Sequence, residues 1–148
     1  MDLKIKRHTN KVIRKQISDD IERVGQRVIQ YLFVIGEKCV NDARLQGSYK
    51  DQTGNLRGST GYAVVDKGKV ITVGGLKEVK GSAEGPAKGE AYLEELVSQL
   101  DSSGGPVLIV VAGMNYAKYV ADKGYNVLDS AELLAEQLIS ELQNKLAK

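Results

Sequence analysis

The chain of 148 residues has no tryptophan, one phenylalanine, one cysteine, one histidine and two prolines. Each scarcity excludes something. A lone thiol, Cys39, forms no internal disulfide, which suits a reducing cytoplasm. A zinc site draws about four His, Cys or acidic ligands at short spacing, and His8 and Cys39 do not supply them. A Cys–His nucleophilic pair has only those two residues and no third partner. Cys39 falls on an apolar helical stripe, where a cysteine reads as a small hydrophobe. No apolar run approaches the ~20 residues of a membrane span. The first residues also lack the apolar stretch of a secretory signal.

Glycine, by contrast, is plentiful, at sixteen residues. The segment Thr53-Gly54-Asn55-Leu56-Arg57-Gly58-Ser59-Thr60-Gly61 is glycine-rich and carries an arginine. It lacks the Gly-Lys-Ser/Thr ending of a P-loop and leads into a strand-like run. Val73-Gly74-Gly75-Leu76 and the stretch from Gly81 to Gly89 do not fit the dinucleotide fingerprint. These glycines read as turns. Asp19 with Asp20, and Glu94 with Glu95, are adjacent on helices and point apart, so neither is an acid/base couple. The sequence therefore predicts no catalytic residue, no metal, no cofactor and no small-molecule substrate.

Length and composition fit one domain, large enough to bury roughly 70% of the surface its unfolded form exposes. The net charge is +2, unevenly spread: residues 1–15 carry Lys4, Lys6, Arg7, Lys11, Arg14 and Lys15 against Asp2. A basic arm over residues 1–10 on a mildly acidic body suits an anionic partner, nucleic acid or an acidic protein face. A frayed, solvated terminus is the plainer reading. With no aromatic residue the arm is not suited to stacking on bases.

Residues 11–46 read as one long helix. Ile13, Ile17, Ile21, Val24, Val28, Leu32, Ile35, Cys39 and Ala43 recur at steps of three and four, an apolar stripe of helical period. At 1.5 Å per residue it is roughly 50 Å long, whereas a compact domain of this size is about 40 Å across. The helix must bend, break or project. Gly25 and Gly36 lie near one face; they are tolerated glycines, a kink, or places where a neighbouring helix comes close.

Leu56–Val65 and Lys69–Leu76 read as a hairpin of strands around Asp66-Lys67-Gly68, with one solvated face expected. Residues 77–105 form an excursion, polar and flexible at first. It then holds a short helix with Tyr92, Leu93, Leu96, Val97 and Leu100 on one face. Val107-Leu108-Ile109-Val110-Val111 reads as a buried central strand. Asn115 is placed to cap a short helix that Gly124 closes. Asp129 with Glu132 resembles a capping box for a last helix carrying Leu134, Leu138, Leu142 and Leu146. The expectation is an α+β domain over residues 11–148. Its long N-terminal and C-terminal helices pack on a small, mainly antiparallel sheet, and the flexible excursion precedes the last strand.

Two segments carry a resemblance. Thr53-Gly54-Asn55-Leu56-Arg57-Gly58-Ser59 matches Thr-Gly-x-Leu-Arg-x-Ser. Tyr116-Ala117-Lys118-Tyr119-Val120 matches Tyr-Ala-x-Tyr-Val, with Asp122 and Gly124 following. In this order the chain resembles a family of tailed-bacteriophage morphogenesis proteins, the tail-completion or neck proteins that join head to tail. The resemblance implies a structural virion protein that forms a homo-oligomeric ring. Its neighbours would be neck, head-closure or tail-tube proteins, and its locations the host cytoplasm during assembly and then the virion. Thr53, Gly54, Asn55, Arg57, Tyr116, Tyr119 and Tyr125 are the candidate protein-contact residues. Loop 47–55 and excursion 77–90 are the expected contact segments. Lys4, Lys6, Arg7 and Lys11 are the candidates for non-specific DNA contact, and a nucleic-acid-binding module acting through them is the alternative function. Leu56 is the expected core anchor and Arg57 a cation on the alternate face, whose loss is expected to leave the domain folded and impair assembly.

Overall fold

The computed structural model describes residues 3–51, 53–100 and 105–147, with side chains from residue 13 onward. The elements are α1 (Leu3–Gln46), α2 (Asn55–Gly58), β1 (Thr60–Asp66), β2 (Lys69–Gly74), α3 (Glu84–Ser98), β3 (Val107–Ala112), α4 (Ala117–Asp122) and α5 (Asp129–Leu146). The expected α+β class is the one observed. The helix α1 begins at Leu3, so residues 3–10 of the assigned arm are its first turns. The side chains of Lys4, Lys6, Arg7 and Lys11 lie outside the described residues.

The sheet is antiparallel throughout, in the order β2-β1-β3. The centre is therefore β1, and the apolar run of β3 sits at an edge. Its burial comes from the helices above and below it, not from two neighbouring strands. Lys67 and Gly68 both have left-handed backbone, with φ of 52° and 76°, which matches the twist of a two-residue hairpin.

Central position leaves no solvated face on β1. Tyr62 and Val64 point to one side, into a cluster with Leu32, Ile35, Cys39 and Val40 of α1 and Ala131 and Leu142 of α5. Ala63 and Val65 point to the other, against Leu93 of α3 and the partly buried Leu96 and Val97. The domain is thus three layers: the long helices, the sheet, and α3. Part of the excursion supplies the third layer. Tyr92, expected on the packed face of α3, is 41% exposed.

Helix α5 runs antiparallel to α1. The Ser130 hydroxyl donates to Asp42 Oδ2 at 2.6 Å near its start. Near its end the Lys145 ammonium lies 5.6 Å from the Tyr31 ring centroid. The stripe on α1 is covered as far as α5 reaches. Beyond Val28, towards the N-terminus, Ile13, Ile17, Ile21 and Val24 are 45–67% exposed. Of the three outcomes expected for an overlong helix, projection is the one that occurs.

Several local expectations change. Leu56 belongs to the short α2 rather than to a strand, although it is buried as an anchor. No side chain caps α4 or α5 from its N-cap position, so neither Asn115 nor the Asp129–Glu132 pair plays the role assigned to it. Instead Asn126 Oδ1 accepts from the Ser130 N–H at 3.1 Å, and its amide donates to Gln46 O at 3.0 Å. Gly124 closes α4 with φ 91° and a bond to Ala121 O, as its position suggested.

Candidate functional site

The two resemblance segments are brought together at the C-terminal end of α1. Leu56 shares one apolar cluster with Tyr49, Ala112, Met114, Ala117 and Val127. The Ser59 carbonyl accepts from the Gly113 N–H at 3.1 Å, and its hydroxyl accepts from the Met114 N–H at 3.3 Å. Ser59 is fully buried, so these bonds fix the loop before α4 onto the first segment. Burial and the Asp51 carboxylate hold the Tyr116 phenol above its ordinary pKa, opposed by a side-chain hydrogen bond with Thr53. Thr53 and Tyr116 are therefore neighbours although 63 positions apart.

Arg57, expected as a contact residue, is held within its own chain. Its guanidinium donates to Arg44 O at 3.3 Å and Gly47 O at 3.1 Å, the last carbonyls of α1 and of the turn after it. Such carbonyls have no partner within the helix and carry the negative end of its dipole. The same group lies 4.5 Å over the Tyr49 ring and 3.9 Å from Asp51 Oδ2. Asp51, 6% exposed, also accepts from the Arg57 N–H at 2.9 Å. Arg57 thus ties α1, the loop and α2 into one unit.

Gly54 has φ 78°, and a Cβ there would stand 2.2 Å from Val79 O. Glycine is needed both for the turn and for the close approach of residues 79–84. That segment is pinned: Asn55 Nδ2 donates to Glu84 Oε2 at 3.0 Å, the Ser82 hydroxyl donates to Asn55 Oδ1, and Lys80 Nζ donates to Asp51 O. The loop 47–55 and the start of the excursion, expected as outward contacts, are hydrogen-bonded to each other. Among the described residues no buried side-chain polar atom lacks a partner. A knot whose buried side-chain polar atoms are all matched serves to hold shape.

The remaining candidates face outward. Tyr119 is 61% exposed with Lys123 4.6 Å over its ring, and Tyr125 is 45% exposed. The residues missed by sequence reasoning are Arg44, Asp51, Ser59, Glu84 and Asn126. Arg44 had one signal, a cation in the last turn of a helix. Asn126 was not singled out: Ser130 lies four residues after it, but its other partners, Gln46 and Ser48, lie about 80 positions earlier.

Among the described residues no group of three or more His, Cys, Asp or Glu stands together as a metal site. Cys39 is fully buried, and burial raises its thiol pKa. Two cavities flank β3. One, of about 570 Å³, lies between α1, β3 and α5 and is walled almost wholly by aliphatic side chains. The second, of about 610 Å³, lies between α3, β3 and α4. No helix among the described residues is long and apolar enough to cross a membrane.

Comparison with protein-family models, curated proteins and solved structures found no match to the chain.

Proposed function

We propose that this chain is a structural protein of a tailed-bacteriophage virion. It forms a homo-oligomeric ring at the neck or the top of the tail and joins head to tail. The observation that carries this reading is the projection of α1. An apolar stripe of four side chains, Ile13, Ile17, Ile21 and Val24, stands in water beyond the end of α5. Exposed apolar surface of that kind is stabilised when another protein surface covers it. The rigid knot at the other end of α1 supports the same reading. It joins the two segments that resemble the tail-completion family into one fixed surface, with Tyr119 and Tyr125 outward beside it.

The partners are further copies of the chain and the neighbouring neck, head-closure or tail-tube proteins. The protein works first in the host cytoplasm and then in the virion, and it carries out no catalysis. Electron microscopy of particles assembled without the protein tests this. Separate filled heads and finished tails are expected. Joined, infectious particles would overturn it.

A further inference from the structure

The outer side of β3 is an unpaired strand edge at the floor of a slot. We infer that this edge binds an extended segment of a partner protein, which joins the three-stranded sheet as one more strand. The segment is about as long as β3, six residues, and carries aliphatic side chains at alternate positions. This binding site is separate from the joining role and does not depend on it.

The ladder fixes which main-chain groups point outward. The Gly113 N–H donates to Ser59 O, and the register continues with Val111 opposite Gly61 and Ile109 opposite Ala63. In an antiparallel pair, alternate residues turn both main-chain groups to the same neighbour. Val107, Ile109 and Val111 therefore face β1. Leu108, Val110 and Ala112 turn their N–H and C=O away from it. Among the described residues no further main-chain bond fills those outward groups.

The two edges of the sheet differ. Strand β2 begins with Lys69, and its register against β1 slips between Val64 and Val65. A charge and a bulge both guard an edge against pairing with another chain. Strand β3 has neither: its six residues are all apolar, and its pairing with β1 is unbroken. An unguarded apolar edge is a template for another strand.

The surroundings select what can reach it. Leu108 and Val110 lie on the α1 face of the sheet, Ile109 and Val111 on the α3 face. Helix α5 packs on α1, and α3 packs on β1 and β3, whereas neither α4 nor α5 runs closely along β3. A cavity is left on each face, about 570 Å³ beside α5 and about 610 Å³ beside α4, and Val110 and Leu128 line both. The edge thus lies between α5 on one face and α4 on the other. The β3 edge of a second copy is recessed in the same way, and its β2 edge is guarded, so neither suits this slot. A single extended chain does. Its main chain pairs with Leu108, Val110 and Ala112 over about 14 Å, and its side chains enter the two cavities in turn. In strand addition of this kind main-chain bonds supply affinity and alternate pockets supply specificity. The aliphatic wall formed by Ala135, Ile139 and Leu146 suits valine, leucine or isoleucine on the α5 side. On the α4 side Lys88, Glu95 and Lys118 border the apolar floor, so polar side-chain ends are accommodated there.

Fluorescence anisotropy with short labelled peptides tests the site. The probes alternate valine, leucine or isoleucine with threonine between terminal lysines. Saturable binding is expected, with amide exchange at Leu108, Val110 and Ala112 slowed by the peptide. In the free protein these three amides should exchange faster than those of Ile109 and Val111. Val110→Pro removes one outward N–H at a position where an edge strand accepts proline, and should weaken binding at least tenfold. Ala135→Phe fills the cavity beside α5 without altering the main chain of β3, and should also weaken binding at least tenfold. Circular dichroism establishes that each variant is folded, and Ala135→Phe decides if the proline variant is not. No saturable binding by any probe, parental binding by either folded variant, or outward amides as slow as Ile109 in the free protein overturns the site. Self-association of the parent that Val110→Pro abolishes also overturns it, since the occupant is then a second copy.

Discussion

Arg44 and Arg57 each donate a hydrogen bond to the other's main-chain carbonyl, Arg44 Nε to Arg57 O at 3.1 Å and Arg57 Nε to Arg44 O at 3.3 Å. Two cations side by side would repel. They are held here by the carbonyls at the end of α1, the Tyr49 ring and the buried Asp51. Arg44 also donates to Thr60 O and Gly75 O, so the pair links α1 to α2, to β1 and to the end of β2. The arginine expected to be an outward contact is a brace.

Arg57→Ala should therefore unfold the protein more easily. It removes several bonds to main-chain carbonyls and leaves Asp51 buried without its cation, a loss of about 2–4 kcal/mol. Arg57→Lys should recover only part of it, because an ammonium cannot reach two carbonyls and cover a ring at once. Urea denaturation of the three proteins reads the order directly. An Arg57→Ala protein as stable as the parent would return the residue to the surface role that its motif suggested.

The two glycines of α1 should respond with opposite signs. At Gly36 a Cβ would stand 2.5 Å from Cδ2 of Tyr62, whose ring is fully buried. Gly36→Ala should cost about 1–3 kcal/mol through overpacking. Gly25→Ala meets nothing within 4 Å in its own chain. In the isolated protein it should stabilise the helix by up to about 1 kcal/mol. Thermal unfolding of both variants decides, and a shared sign would contradict the packing described here.

At the start of α5, Asn126→Ala should be costly and Asp129→Ala nearly silent. Asn126 caps α5 through Ser130 and ties it to Gln46, so its loss should cost about 1–2 kcal/mol. Asp129 makes no capping bond. Helicity and urea midpoints of the two variants test the assignment. Equal effects would restore the capping box.

What the sequence revealed follows from the range of the interactions. The stripe on α1 was legible because a helical period repeats over nine positions, and the Lys67-Gly68 turn because two adjacent residues set it. The mismatch between helix length and domain size left bending, breaking or projection open, and only the coordinates select projection. Three features were hidden. The order β2-β1-β3 depends on pairing between β1 and β3 across some 45 residues, so the most apolar strand was mistaken for the central one. Leu56 was read as strand because its apolar character fits either element, while the left-handed Gly54 starts a helical turn. The bracing role of Arg57 was hidden because its partners are mostly main-chain carbonyls, which no side-chain pattern announces. The meeting of Thr53 and Tyr116 was not anticipated, since the resemblance gave only the order of the two segments along the chain. Its physical basis, the shared cluster around Leu56 and the bonds to Ser59, needed coordinates.

Alkaline pH should weaken the fold in a defined window. Burial first, then a 2.8 Å hydrogen bond to Glu37 Oε1, raise the Tyr62 phenol well above its ordinary value of 10.0. Burial raises the Cys39 thiol above 9.0. Both groups stay neutral in the folded protein while the unfolded chain ionises. Their contribution is complete below the unfolded values and is lost as pH rises from there towards the folded ones. The decline should steepen by up to about 1.4 kcal/mol per pH unit for each group. Urea midpoints across the alkaline range should fall for the parent and fall less steeply for Tyr62→Phe. Parallel slopes would remove Tyr62 as a cause.

Under the proposed joining role, Tyr119 and Tyr125 should separate stability from joining. Both rings are substantially exposed, at 61% and 45%, and among the described residues neither belongs to a buried cluster. Truncating exposed side chains of this kind usually changes stability by less than about 0.5 kcal/mol. Tyrosine nevertheless favours interfaces, since its ring offers apolar area and its hydroxyl stays paired or wet. Tyr119 lies on α4 and Tyr125 just after it, and the start of α4 is held by the bonds of Ser59 to Gly113 and Met114 and by the cluster around Leu56. The double variant Tyr119→Ala, Tyr125→Ala should unfold at the parent's urea concentration yet fail to restore joined particles when supplied to phage lacking the protein. Tyr116→Ala should behave differently: it also loses the contact with Thr53 and should lower stability by about 1 kcal/mol. Full restoration of joining by the double variant would mean that this face makes no contact in the particle, and the joining surface would then have to be sought along α1.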